Sequence, residues 1–337
     1  MNIKQIAKTA GVSVATVSRV MNHPETVAPA TKAKIEKVMK EAGYKPNWFA
    51  QGLNFNTTKT IGIVIPHMLT QSYMEIANGV EEVARMRGYI TFMCNVQKDV
   101  QTEREYITQL MNRRVDGIIL MFSAMEDEYV KRILKEKIPL VFIGEHKGLP
   151  KMSSVRVDCR AGAAEMVAHL IEVGHRSIGF LQGHDPEREA MQQFNGYRNL
   201  LKANGIKVDE SLIVKTENSI EGGYIGVKRL IATSAPEAIY ATSDEIAYGA
   251  MDALKDSGFR IPQDIAVVGF GNDRMSNLIE PKLTTVELPL RKMGIYGARI
   301  LFDKISGEAT EERQIVLRSR MRIRKSCGHK ERIGEMF

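Results

Sequence analysis

Gly11-Val12-Ser13-Val14-Ala15-Thr16-Val17-Ser18-Arg19-Val20-Met21-Asn22 reads as a tight turn feeding a short helix. Ser13 suits the N-cap, because its hydroxyl can take a backbone N–H that the first turn leaves free. Val17, Val20 and Met21 fall at three- and four-residue spacing and face a small core. Ala15, Thr16, Ser18 and Arg19 then point outward together. Small, hydrogen-bonding and cationic side chains of this kind suit a helix lying against base edges and phosphates. A solvated helix end in a small bundle is the competing reading, and the flanking sequence decides between them.

Upstream, residues 2–10 place Ile3, Ile6, Ala7 and Ala10 on one helical face. Downstream, His23 to Thr26 is a loop. Pro29 then suits the first position of a third helix, where its missing N–H costs nothing. That helix carries Ile35, Val38, Met39 and Ala42 as its apolar stripe, and Gly43 ends it. Ala28 at its N-cap offers no side-chain acceptor, so that cap is weak. Three short helices in under fifty residues make a helix-turn-helix module.

Charge separates this module from the rest. Residues 1–60 hold nine Lys or Arg against three Glu, whereas the remaining 277 residues hold 38 basic against 37 acidic. Nearly all of the net +7 therefore sits in the small N-terminal unit, which implies a polyanionic partner for it. No apolar run approaches a membrane span or a secretory signal, and Cys94, Cys159 and Cys327 are too scattered for a disulfide framework or a metal cluster. A reduced cytoplasm is the expected setting.

From Thr60 the pattern changes to apolar runs alternating with amphipathic helical stretches. The runs are 61–65, 89–93, 117–121, 140–143, 177–181, 238–241 and 265–270; the helices fall near 73–87, 101–113, 126–136, 160–173, 190–204, 221–233 and 244–257. That rhythm predicts two doubly wound lobes of parallel sheet, with a ligand cleft beyond the carboxyl ends of the strands. The segment 283–288 and a helix near 291–305 are expected to cross between lobes, and 318–325 to form a final strand. The expected organisation is a headpiece over 1–46, a hinge and linker over 47–59, a two-lobed core over 60–330 with crossovers near 158–162 and 286–292, and a tail over 331–337. Pattern alone makes 47–53 a flexible tether, because two helical turns are marginal in water.

Several stretches resemble the lactose-repressor (LacI/GalR) family. They are Ile3–Ala7 with Ala10–Asn22, Tyr44-Lys45-Pro46-Asn47, Ala50–Leu53, Arg114–Ile119, Gly174-His175-Arg176, Gly196-Tyr197, Ser243–Ala250, Ile261-Pro262, Val267–Phe270 and Pro281–Thr285. They run in order over almost the whole chain. The resemblance implies a cytoplasmic dimeric transcription regulator, an operator of near-palindromic double-stranded DNA, and a core similar to periplasmic sugar-binding proteins. It implies no cofactor, no metal and no catalysis. By position, Ser13, Val14, Ala15, Thr16, Ser18, Arg19, Asn22, Thr26, Tyr44, Asn47, Ala50 and Leu53 are the expected DNA-binding residues. Val14 and Ala15 can touch thymine methyls only, which leaves Arg19 as the direct reader of guanine. Leu53 is implied to wedge the minor groove.

For a small effector, expected to be a sugar or sugar derivative, the resemblance implies Thr70, Tyr73, Gln193, Ser243, Asp244, Asn272 and Asp273 as cleft residues. Asp244 alternatively caps its own helix. Three positions depart from the family's common pattern: Gln193 where many members have Arg, Gly271 where many have Asp, and Ser243 where many have Asn. The expected function is a repressor of carbohydrate uptake or catabolic genes relieved by a metabolite; the alternative is a global regulator driven by a corepressor or a partner protein. An enzyme fits poorly. Gly269-Phe270-Gly271 lacks the third glycine of a dinucleotide fingerprint, and the histidines show no metal spacing. If Leu53 is the wedge, Leu53→Ala reduces operator bending; equal bending of variant and wild type, measured by fluorescence resonance energy transfer across a labelled duplex, excludes it.

Overall fold

Asn2 and Gln5 open the chain with a reciprocal cap. The Asn2 side chain accepts from the Gln5 amide, and the Gln5 side chain accepts from the Asn2 amide at 2.8 Å. In this computed structural model, which describes residues 1–44, 57–123, 125–144, 152–184, 189–309 and 311–328, helix α1 follows over Ile3–Ala10. Gly11 ends it in the left-handed region at φ +64°, where a Cβ would be strained. Ser13 then caps α2 (Val14–Asn22), its hydroxyl accepting from the Thr16 amide at 3.1 Å. Helix α3 (Pro29–Glu41) starts at Ala28 with no side-chain cap. Ile6, Ala7, Ala10, Val17, Val20 and Ile35 form the buried centre of this unit.

Residues 1–58 and 59–337 are separate compact units. The larger one contains two parallel sheets. The first has strand order β11-β5-β4-β3-β1-β2, built from β1 (Thr60–Ile65), β2 (Ile90–Asn95), β3 (Gly117–Met121), β4 (Leu140–Ile143), β5 (Ser154–Val157) and β11 (Gln314–Leu317). The second has order β7-β6-β8-β9, from β6 (Ile178–Gly183), β7 (Ile213–Thr216), β8 (Ala238–Ala241) and β9 (Ala266–Val268). Every pairing within these sheets is parallel. The intervening helices are α4 (Gln71–Met86), α5 (Val100–Asn112), α6 (Asp127–Lys135), α7 (Cys159–Val173), α8 (Glu189–Ala203), α9 (Ile220–Thr233), α10 (Asp244–Asp256) and α11 (Leu290–Ile305).

The chain passes from the first lobe to the second after β5. It returns through β10 (Thr285–Glu287) into α11, which packs on α4. After β11 it crosses again, and β12 (Arg320–Arg322) pairs antiparallel with β10. The single last strand expected at 318–325 is therefore β12, and 283–288 holds a strand of its own. Strands β5, β7 and β11 have no counterpart among the apolar runs. Strands β7 and β11 lie at sheet edges and are partly solvated, and Arg156 interrupts β5, so none reads as a continuous apolar segment.

Three helix pairs meet backbone to backbone: α4 with α11, α7 with α8, and α9 with α10. A Cβ at Gly294 of α11 would lie 2.0 Å from the Ile76 carbonyl of α4, and one at Gly249 of α10 would lie 1.8 Å from the Ile220 carbonyl of α9. A carbonyl cannot rotate away as a side chain can, so a methyl there forces the helices apart. Gly294→Ala is expected to destabilise the core by about 1–3 kcal/mol, seen as a lower urea midpoint; an unchanged midpoint contradicts the close packing.

Candidate functional site

Two sites emerge from the candidate residues, one in each unit. In the headpiece, Val14, Ala15 and Arg19 lie on the exposed side of α2, while Thr16 and Ser18 are half-buried rather than fully outward. The Ser13 and Thr16 hydroxyls share a hydrogen bond of 2.8 Å at the start of that helix. Asn22 is its last residue. Thr26 is exposed and donates its hydroxyl to the His23 carbonyl at 2.7 Å. Tyr44 is half-buried against the headpiece core. Asn47, Ala50 and Leu53 lie outside the described residues.

In the core, all seven expected effector residues line one cavity of about 230 Å³. The topology explains why. Ser243 and Asp244 follow β8 and Asn272 follows β9, so they stand beyond the carboxyl ends of parallel strands, where such folds bind ligands. Thr70 and Tyr73 open α4 after β1. The Tyr73 ring sits 5.2 Å from that of Phe122, which gives the cavity an aromatic wall.

Most of these polar groups are already engaged. Asp244 is 3% exposed. Its carboxylate accepts the Thr285 hydroxyl at 2.5 Å and the Asp273 amide at 2.9 Å. Burial pushes its pKa up to about 7, against the pull of these two donors; the Asp273 carboxylate adds to the rise and Arg324 opposes it. Asp244 does not cap its own helix: Ser243 does, accepting from the Ile246 amide while donating its hydroxyl to Asn218 at 2.6 Å. Asp273 accepts from the amides of Met275 and Ser276 and from the Tyr248 hydroxyl. Burial also raises the Tyr248 pKa, with Asp244 and Asp273 adding to it.

Asn272, left-handed at φ +56°, accepts from the Arg324 guanidinium at 2.6 Å. Gln193 is buried; its amide nitrogen donates to the Thr242 carbonyl at 3.3 Å and its oxygen accepts the Tyr240 hydroxyl at 3.0 Å. Thr70 stands at the N-cap of α4 without a capping bond from its side chain.

The Asp244 carboxylate also accounts for the glycines after β9. A Cβ at Gly269 would lie 2.4 Å from Asp244 Oδ1, and Gly271 adopts φ +144° with Asp244 Oδ2 3.3 Å from its Cβ position. Gly269 and Gly271 make room for a buried carboxylate. The family's usual Asp in place of Gly271 would put a strained side chain and a second charge there.

Sequence reasoning missed Glu75, Lys98, Phe122, His184, Asn218 and Glu245, which line the same cavity. A rule was available for four of them: Lys98, Phe122, His184 and Asn218 follow the ends of β2, β3, β6 and β7. Asn218 escaped because β7 itself escaped. Glu245 is raised in pKa by burial and by Asp273 and Glu221, while Lys98 lowers it from the opposite lobe.

Comparison with known proteins agrees with both units. Residues 2–47 match the model of bacterial regulatory proteins of the lacI family, and residues 58–327 that of periplasmic binding proteins and the sugar binding domain of the LacI family. The chain is 33% identical to catabolite control protein A of Staphylococcus xylosus over 324 residues, covering 96% of this chain and 98% of that one. It is 32% identical to the HTH-type transcriptional regulator DegA of Bacillus subtilis, covering 96% and 97%. Among solved structures, a lac repressor dimer bound to operator and the anti-inducer ONPF superposes with a TM-score of 0.87 at 26% identity, covering 97% and 99%. A complex of the transcriptional regulator CelR with cellobiose gives 0.75 at 29%, with the same coverage. The chain therefore belongs to the LacI family, and is a DNA-binding transcription regulator rather than an enzyme.

Proposed function

We propose that this protein is a homodimeric repressor of carbohydrate uptake or catabolic genes. It reads a near-palindromic operator through α2 and is controlled by a sugar-like effector held between the core lobes. The observation that carries the DNA half is the exposed row Val14, Ala15 and Arg19 on a short capped helix in a strongly basic unit. Phosphates draw the basic unit to any duplex; Arg19, with its bidentate guanidinium, supplies discrimination. Ser13, Thr16, Ser18, Asn22, Thr26, Tyr44 and Asn47 hold backbone or nearby base edges, and Ala50 and Leu53 engage the minor groove. The effector half rests on one cleft gathering Thr70, Tyr73, Gln193, Ser243, Asp244, Asn272 and Asp273, and on the cellobiose and ribose complexes of structural relatives.

Self-association is supported by the edge of the first sheet. Strand β2 is its outermost strand, and Ile90 and Phe92 on it are 68% and 41% exposed. An uncovered apolar edge strand is an aggregation hazard unless a partner covers it. The second lobe exposes Ile225 and Leu278 as well. A second copy covering these residues places two recognition helices on two half-sites.

A second reading is favoured by the name catabolite control protein A, borne by several relatives at 30–33% identity. In it the protein is a broad regulator whose DNA binding is tightened by a corepressor or partner protein. The sign of the effect separates the two, because a ligand shifts the balance only toward the lobe arrangement it binds better. Operator affinity falling on effector addition supports relief of repression, and affinity rising supports the second reading.

Selection of duplexes from a random library by the full chain, followed by anisotropy at fixed salt, tests the DNA half. Arg19→Ala is expected to weaken the selected operator by about 10- to 100-fold while leaving random duplex binding nearly unchanged; equal discrimination by the variant removes Arg19 from that role. The double substitution Ile90→Glu, Phe92→Glu is expected to give a folded monomer by sedimentation with weakened operator binding. A dimer as stable as the wild type places the interface elsewhere.

A further inference from the structure

The charge of the effector can be read from the cleft, given that the cleft is the effector site as proposed above. We propose that it takes an uncharged or amine-bearing polyol and rejects the phosphorylated forms of the same compounds. Among the described residues that line it, the acids are Glu75, Glu189, Asp244, Glu245 and Asp273, against Lys98 and His184 as basic residues. The Lys98 charge is felt by Glu245, whose pKa it pulls down against the rise from burial. At Gln193, where many family members carry Arg, the side chain is buried and neutral, and its amide is bonded to Tyr240 and Thr242.

Phosphate recognition rests on guanidinium or ammonium groups and on free backbone amides at helix N-termini. Four helix N-termini lie at this cleft, those of α4, α8, α10 and α11; α8 carries Glu189 in its first turn, and α11 has no acid in its first turn. That of α10 is filled by Ser243 and carries Asp244 and Glu245 in its first turn. That of α4 has Thr70 at its cap with no capping bond from the side chain, and no acid in its first turn. The pull of such a terminus on an anion is that of about half a charge. Glu75, Glu189, Glu245 and Asp273 outweigh such a terminus, since a carboxylate carries a whole charge, while Asp244, lifted to about 7 by burial, adds less at neutral pH. Carboxylates and carbonyls accept hydrogen bonds, so the complementary ligand is rich in donors, which hydroxyls and ammonium groups supply. The rings of Tyr73, Phe122 and Phe270 offer flat apolar faces for the C–H side of a sugar or for a cationic carbon.

The test uses the full chain and a panel of neutral mono- and disaccharides, each with its amino and its phosphorylated counterpart, read by thermal shift and then by calorimetry. The expected result is that a neutral or amino compound binds and its phosphorylated counterpart is at least about tenfold weaker at low salt, with the gap closing as salt rises. Glu75→Gln combined with Glu245→Gln is expected to narrow the gap by about threefold or more. A phosphorylated compound binding as tightly as its neutral parent, or tighter, overturns the proposal while leaving the cleft as the effector site. A gap insensitive to both salt and the double substitution overturns the carboxylates as its cause. If no member of the panel binds, the effector-site reading itself falls and takes this proposal with it.

Discussion

One buried carboxylate sets the geometry of the second lobe. Asp244 is almost sealed from water and sits where a charge is costly, so its oxygens must find donors. It finds them in Thr285, on the strand that returns the chain toward the first lobe, and in the Asp273 amide, on the loop after β9. The same carboxylate excludes side chains at Gly269 and Gly271. Asp273 then anchors the turn at Met275 and Ser276, and Arg324 ties Asn272 and Ser276 to the segment after β12. The cleft wall and the crossover are one hydrogen-bonded assembly. A ligand that favours one lobe arrangement acts directly on the segments that join the lobes.

This arrangement changes the meaning of the family's departures. Gly271 in place of Asp is a structural consequence of the carboxylate beneath it. Gln193 in place of Arg removes a cation from the cleft floor and satisfies the Tyr240 hydroxyl instead. Against the family pattern, Gln193 removes a positive charge and Gly271 a negative one, so the two departures balance in formal charge, although the fold around the cleft is the common one.

The headpiece works by different physics. Its core is six buried side chains, too few to do more than hold three short helices. Caps do much of the local work: Asn2 with Gln5 at α1, Ser13 at α2, and the left-handed Gly11 between them. What that small core achieves is the outward display of Val14, Ala15 and Arg19, with lysines spread around them. In the proposed reading, affinity for DNA comes from the lysines and selectivity from the side chains at base-edge reach.

The headpiece was legible in the sequence because its signals are local. A cap residue, a turn glycine and a three-to-four spacing act within ten residues. The alternation of strands and helices after Thr60 was legible for the same reason, since buried parallel strands are continuous apolar runs. Strands β7 and β11 escaped because an edge strand is half-solvated and need not be apolar. The members of the cleft could be named from the family motif, but their bonding could not. That Asp244 accepts from Thr285 and that Gln193 accepts from Tyr240 are facts about residues 41 and 47 positions apart. Only the tertiary packing of the strands and helices brings those groups together, and that packing decides which polar atoms remain for a ligand.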